Sequence, residues 1–127
     1  MTEHQLSPVF EGHNNVCIIG RYDGDDNASD FLKAIDDKDA GKFRRYLERL
    51  RDGFHVSSPE NMRHIKVPDP KGAGAEVHEL KVHRNGGLRL YLVRFESRWY
   101  LTHGGKKVAD SKVPKEAAKA FAIFWND

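Results

Sequence analysis

The stretch from Glu76 to Lys107, EVHELKVHRNGGLRLYLVRFESRWYLTHGGKK, admits few folds. Three runs rich in Val, Leu, Tyr, Phe and Trp are separated by two turn signals, Asn85-Gly86-Gly87 and Glu96-Ser97-Arg98. Short β-rich runs joined by tight turns pair with their neighbours, so a three-stranded antiparallel meander is predicted. The same strands carry Lys81, His83, Arg84, Arg89, Arg94, Arg98 and His103, followed by Lys106-Lys107. A strand that only builds a core alternates apolar with bland polar residues. Here the alternate positions hold donors suited to a phosphodiester.

Charge is unevenly spread. Residues 1–60 hold 8 Lys/Arg and 12 Asp/Glu, a balance of −4, and residues 61–127 hold 13 and 7, a balance of +6. The basic half carries the meander, which suggests an anionic partner there, nucleic acid being the common one. With 127 residues and 39% apolar content the chain suits one domain with one modest core. No run approaches the roughly 18–20 apolar residues of a membrane span. The N-terminal MTEHQLSPVFEGHNN lacks the basic head and apolar run of a secretory signal. The single cysteine, Cys17, permits no internal disulfide and fits a reducing, cytoplasmic setting, as a packing residue in an apolar run.

Residues 1–15 are polar and aperiodic and are expected to form a flexible extension, with 16–127 as the single domain. Val16-Cys17-Ile18-Ile19 reads as a first strand, extending toward Tyr22. Asp23 to Asn27 reads as a turn; its acidic spacing resembles a calcium loop, but position 12 of such a loop is Ala34 rather than glutamate. A short helix is expected from Ser29, with Phe31, Leu32 and Ile35 on one face. A second follows, with Phe43, Tyr46, Leu47 and Leu50 at i, i+3, i+4, i+7 and Gly53 just past its end. Its other face carries Lys42, Arg44, Arg45, Arg49 and Arg51, a pattern of solvated faces and of acidic or RNA contacts alike. Residues 54–75 are loop-like, with Met62 to Val67 as a short strand or turn. Pro114 opens a last helix with Ala117, Ala118, Phe121, Phe124 and Trp125 on its apolar face. The expected fold is α+β in the order β-α-α-β-β-β-α. Two N-terminal helices would cover one face of a small twisted antiparallel sheet, and the open face would hold the cations.

Glu79-Leu80-Lys81, Gly87-Leu88-Arg89-Leu90 and Tyr100-Leu101-Thr102-His103-Gly104 occur in that order, followed by Lys106-Lys107 and Lys112-Val113-Pro114-Lys115-Glu116. Together, over residues 16–125, they resemble the RelE/HigB superfamily of toxins from toxin–antitoxin modules, and within it the phage-derived HigB-like branch. Lys81 stands where that branch has arginine, Leu88 replaces an aromatic, and the segment from His103 to Lys106 is one residue shorter and lacks a phenylalanine.

The resemblance implies a ribosome-dependent mRNA endonuclease that inhibits translation, with a RelE-like fold and a cognate antitoxin, a small helix-turn-helix protein, as partner. Its implied chemistry is attack of a ribose 2′-hydroxyl on the adjacent phosphate, which needs a base, positive charge and an acid but no metal or other cofactor. No HExxH or CxxC spacing occurs in the chain. On this reading Arg89 stabilises the phosphate, His103 is the acid–base group, and Lys106 and Lys107 complete the catalytic set. Lys81, Arg84, Tyr91, Tyr100, Lys112 and Lys115 would bind RNA, with the tyrosines as stacking platforms. Arg89 also has a structural alternative, a pair with Glu79, and the tyrosines an alternative as sheet-packing residues. The rival function is a non-catalytic protein of the RelE/ParE fold, either a gyrase inhibitor or a phage or mobile-element module that binds RNA or protein.

Overall fold

The computed structural model describes residues 5–20 and 28–125. Along the chain lie β1 (Gln5–Phe10), β2 (His13–Gly20), α1 (Ala28–Ala34), α2 (Asp37–Arg51) and β3 (Met62–Ile65). There follow β4 (Glu76–Val82), β5 (Leu88–Phe95), β6 (Arg98–Lys106), a 3₁₀ turn (Asp110–Lys112) and α3 (Val113–Trp125). The Asp23–Asn27 turn and the extension of the first strand to Tyr22 lie outside the described residues.

The strands form one six-stranded sheet in the order β1-β2-β6-β5-β4-β3. The expected meander is its centre, with Glu76 to Val82 opposite Arg94 to Leu88, and β5 continuing into β6 through a two-residue turn. Glu96 and Ser97 in that turn both have positive φ, as hairpin turns matched to strand twist require. β3 extends the sheet beyond β4, antiparallel to it.

The order β-α-α-β-β-β-α and the all-antiparallel sheet are corrected by this topology. Two strands, not one, precede the helices, and the sheet is mixed because β2 runs parallel to β6, Val16–Ile18 against Trp99–Leu101. Residues from Gln5 onward belong to a β1–β2 hairpin rather than to a loose extension. An edge strand has one free flank and needs little apolar sequence, so the polar N-terminal stretch conceals it.

The helices also divide differently. α1 and α2 cover one face, where Phe43 and Leu47 meet Leu80, Leu90 and Leu101. α3 covers the other, where Ala117, Phe121 and Phe124 meet Val77, Val93 and Tyr100. The expected open, cationic face is therefore largely closed. Six consecutive residues of β5, Leu88 to Val93, are buried because both sides of this central strand are covered.

Local chemistry sets the helix ends. Asp36 caps α2, its carboxylate accepting from the Lys38 amide at 2.8 Å, and Asp37 and Asp39 lie in the positive first turn. The acidic residues Asp36, Asp37 and Asp39 that follow α1 thus form the start of α2. At the other end Gly53 takes φ +80°, its amide donates to the Leu50 carbonyl and that of Phe54 to the Arg49 carbonyl, a Schellman closure. The cationic face of α2 is partly engaged by aromatic rings: Arg44 and Arg51 sit over the Phe10 ring at 5.4 and 4.6 Å, and Arg49 over the exposed Phe54 at 5.5 Å. α1 docks on β6 at Gly104, where the Phe31 ring occupies the space that a Cβ would need.

Candidate functional site

The α3 face is open at one end of the sheet. α3 packs over the Val77–Val93–Tyr100 region, and Gly105, in register with Arg89, puts no side chain above it. A Cβ there would meet nothing within 4 Å. A cleft at this end encloses about 120 Å³. Its walls are Arg63 from β3, Glu79 and Lys81 from β4, Arg89 and Tyr91 from β5, Lys107 and Asp110 from the chain leading into α3, and Val113 at the start of α3. The period-2 alternation puts Glu79 and Lys81, like Arg89 and Tyr91, on one face, and the ladder pairs Arg63 with Glu79, Glu79 with Tyr91, and Lys81 with Arg89.

Four cations and two carboxylates thus line one small space. Glu79 is its buried anchor. Arg63 approaches one of its oxygens at 2.7 Å, and Arg89 the other at 4.0 Å. The Arg89 guanidinium also donates to the Leu88 carbonyl at 3.0 Å. One buried carboxylate holding two guanidiniums fixes their position, which a flexible cation pair on a surface would lack. Lys81 donates to the Pro59 carbonyl at 2.8 Å, and partial burial, then Arg63, lower its pKa, with Arg89 and Lys107 adding to the effect against Glu79. The Tyr91 hydroxyl lines the cleft, buried and without a hydrogen-bond partner among the described residues. Burial, then the Glu79 and Glu116 carboxylates, push its ionisation upward, so it stays a neutral donor.

Of the residues singled out by sequence, Lys81, Arg89, Tyr91 and Lys107 are brought together here. Lys106 is exposed and paired with Leu88, which enters the opposite core. Lys112 and Lys115 are exposed on the 3₁₀ turn and the first turn of α3. Arg84 turns toward α2, 3.3 Å from Asp39, which also accepts from Asn85. Tyr100 is buried against Phe124, with ring centroids 5.1 Å apart.

His103 lies beneath α3, only 1% exposed and stacked on the Tyr91 ring at 4.5 Å. Neither ring of that pair is open to a nucleotide base. Thr102 spends its one hydroxyl hydrogen on the Tyr91 carbonyl, so the His103 Nδ1 must donate to the Thr102 oxygen, 3.1 Å away. Nε2 then carries the lone pair, 3.6 Å from a Glu116 oxygen. Burial, followed by the Lys119 charge, drives the His103 pKa down to about 3. Burial thus favours the neutral imidazole, and His103 lies within β6 and outside the lining of the cleft.

Arg63 and Asp110 were missed by sequence reasoning, and Glu79 was seen only as a partner for Arg89. Arg63 sits in Met62-Arg63-His64-Ile65, a run too short and without a period-2 pattern to mark it.

Residues 30–122 match the family model described as Phage derived protein Gp49-like (DUF891). The chain belongs to the Gp49-like family. That is a family of RelE-like toxin-type proteins, and the match runs from α1 to near the end of α3, taking in every wall of the cleft. No curated protein and no solved structure matches the chain. No helix among the described residues is long and apolar enough to cross a membrane.

Proposed function

We propose that this Gp49-like protein is the toxin of a toxin–antitoxin pair and cuts mRNA in the ribosome, with the Arg63–Glu79–Arg89 cleft as the phosphate site. The observation that carries the reading is the convergence of Arg63, Lys81, Arg89 and Lys107 on one cleft against only Glu79 and Asp110. A net positive, partly desolvated concavity with pre-positioned guanidiniums suits a phosphodiester and the extra charge of its phosphorane. Family membership supports the toxin part of the proposal.

In the reaction the ribose 2′-oxygen attacks phosphorus and the bond to the 5′-oxygen breaks, leaving a 2′,3′-cyclic phosphate and a 5′-hydroxyl. Arg89 and Arg63 bear on the equatorial oxygens. Lys81 adds its charge beside them, and the 2′-hydroxyl proton passes to solvent water rather than to the buried His103. Lys107, exposed at the rim, donates to the leaving oxygen. The Tyr91 hydroxyl offers a neutral donor at the floor. A cytoplasmic setting and an antitoxin that covers this cleft with acidic side chains complete the proposal.

The test is mRNA cleavage in a reconstituted translation reaction, mapped by primer extension. Arg89→Ala should cost about 2–4 kcal/mol of transition-state stabilisation, a rate loss of roughly 10²–10³. Lys107→Ala, a surface change, controls for misfolding and should also slow cutting. Absence of cuts by folded wild type in the presence of translating ribosomes would refute the nuclease reading. One observation favours the second reading, binding without cleavage: Arg89 is already engaged by Glu79 and by the Leu88 carbonyl. In that case RNA or partner binding, but no cleavage, would depend on Lys107.

A further inference from the structure

A second cleft, of about 270 Å³, lies on the opposite face of the sheet, beyond the C-terminal end of α2. Phe54 and His55 form one side, and His64, His78, Arg94 and Trp99 the other. His64 on β3 is in register with His78 on β4, and Glu76 precedes His78 by two residues, so the three share a face. The two imidazoles stack, with centroids 4.7 Å apart and 16° between their planes. One ligand atom from each of His64, Glu76 and His78 falls in a set whose members all lie within 4.8 Å of one another. The His78 Nε2 is buried, lacks a hydrogen-bond partner among the described residues, and stands 3.6 Å from a Glu76 oxygen, too far for a hydrogen bond.

Elsewhere on this face the strands bury Leu80, Val82, Leu90 and Leu101. A stacked pair of imidazoles beside a carboxylate does not serve that packing, and it leaves a buried nitrogen unused. We propose that His64, His78 and Glu76 bind a divalent transition-metal ion of the zinc class, with a further coordination position open to the cleft. Bonds of about 2.0–2.1 Å at tetrahedral angles put ligand atoms about 3.3–3.4 Å apart. The His78–Glu76 pair is close to that spacing. The remaining closure falls to Glu76 and to His64, whose partly exposed ring turns out of the stack to aim its lone pair at the ion. Two imidazoles select zinc-class ions over magnesium or calcium, which take oxygen ligands. Arg94, in register with Glu76 and 5.4 Å from the Trp99 ring, opposes a cation, and the Glu76 carboxylate offsets it.

The site is separate from the cationic cleft and uses none of its residues. The test uses full-length, tag-free protein stripped with chelator. It is titrated with Zn²⁺ in a calorimeter and with Co²⁺ in a visible spectrometer. One ion per chain and a tetrahedral cobalt band are expected. His64→Ala and His78→Ala should each weaken binding by more than about tenfold, and Glu76→Gln should weaken it less and shift the cobalt band. His64 on its edge strand and the exposed Glu76 can be changed without opening the core, and circular dichroism verifies each fold. Absence of heat and of a cobalt band at millimolar metal would overturn the proposal. So would binding unchanged in both His64→Ala and Glu76→Gln, which would put the ion elsewhere.

Discussion

Acid should unfold this protein through His103, and the size of the effect follows from its burial. The side chain is 1% exposed, its Nε2 has no hydrogen-bond partner among the described residues, and its folded-state pKa is about 3. In the unfolded chain a histidine titrates near 6.5. Between those values the unfolded state binds a proton that the folded state does not. The stability is therefore fully present above about pH 6.5 and is lost as pH falls toward the folded value, by about 1.4 kcal/mol per unit. Over the whole window this is on the order of 4–5 kcal/mol, comparable to the total stability of a small domain. The perturbation is His103→Phe, which keeps the stack on Tyr91 and removes the titrating nitrogen. The assay is urea unfolding of both proteins at half-unit steps from pH 7.5 to pH 4.5. His78, also depressed, to about 4, is present in both and cancels in the difference. The variant's stability should fall less steeply below pH 6.5, so that the two curves diverge by about 1.4 kcal/mol per unit. Parallel curves would refute the reasoning. They would mean that the folded protein accommodates the imidazolium, with Glu116, 3.6 Å from Nε2, as its counter-ion.

Other outcomes are equally direct. Gly104→Ala should destabilise the fold by about 1–3 kcal/mol, because its Cβ would enter the Phe31 ring, and Phe31→Leu should recover part of that loss in a double-mutant cycle. Glu79→Gln should cost about 3–5 kcal/mol in urea unfolding, since it leaves the buried Arg89 without its counter-charge beside Arg63. Asp36→Ala removes the cap of α2 and should lower stability by about 0.5–2 kcal/mol, read from the thermal midpoint and ΔH.

What was legible in the sequence was local. The meander announced itself because Asn85-Gly86-Gly87 and Glu96-Ser97 break three β-rich runs at hairpin spacing. Phe43, Tyr46, Leu47 and Leu50 announced α2 through their helical period. The β1 edge strand and the parallel β2–β6 pair were not legible, since pairing Val16 with Trp99 depends on contacts across most of the chain and leaves no periodic trace. The candidate cleft was half legible. Lys81, Arg89 and Lys107 stood out as cations, but no pattern in the sequence says that Arg63 arrives beside them by β3 pairing with β4. The burial of His103 was not legible either. A histidine at the end of an aromatic run reads as a strand-end proton carrier, whereas β6 continues to Lys106 and the register shift between Tyr91 and Leu92 puts His103 opposite Tyr91.

The parallel junction of β2 with β6 bears on the order in which the molecule assembles. β4, β5 and β6 pair with neighbours in sequence and close short loops, whereas the Val16–Trp99 contact closes a loop through both N-terminal helices and three strands. Long-range pairings form slowly and late. Among the described residues the β1–β2 hairpin pairs with the rest of the sheet through Val16 to Ile18 on its inner strand. It is the segment that can detach while the central strands stay paired, so in native-state hydrogen exchange its amides should open at a lower free energy than those of β5.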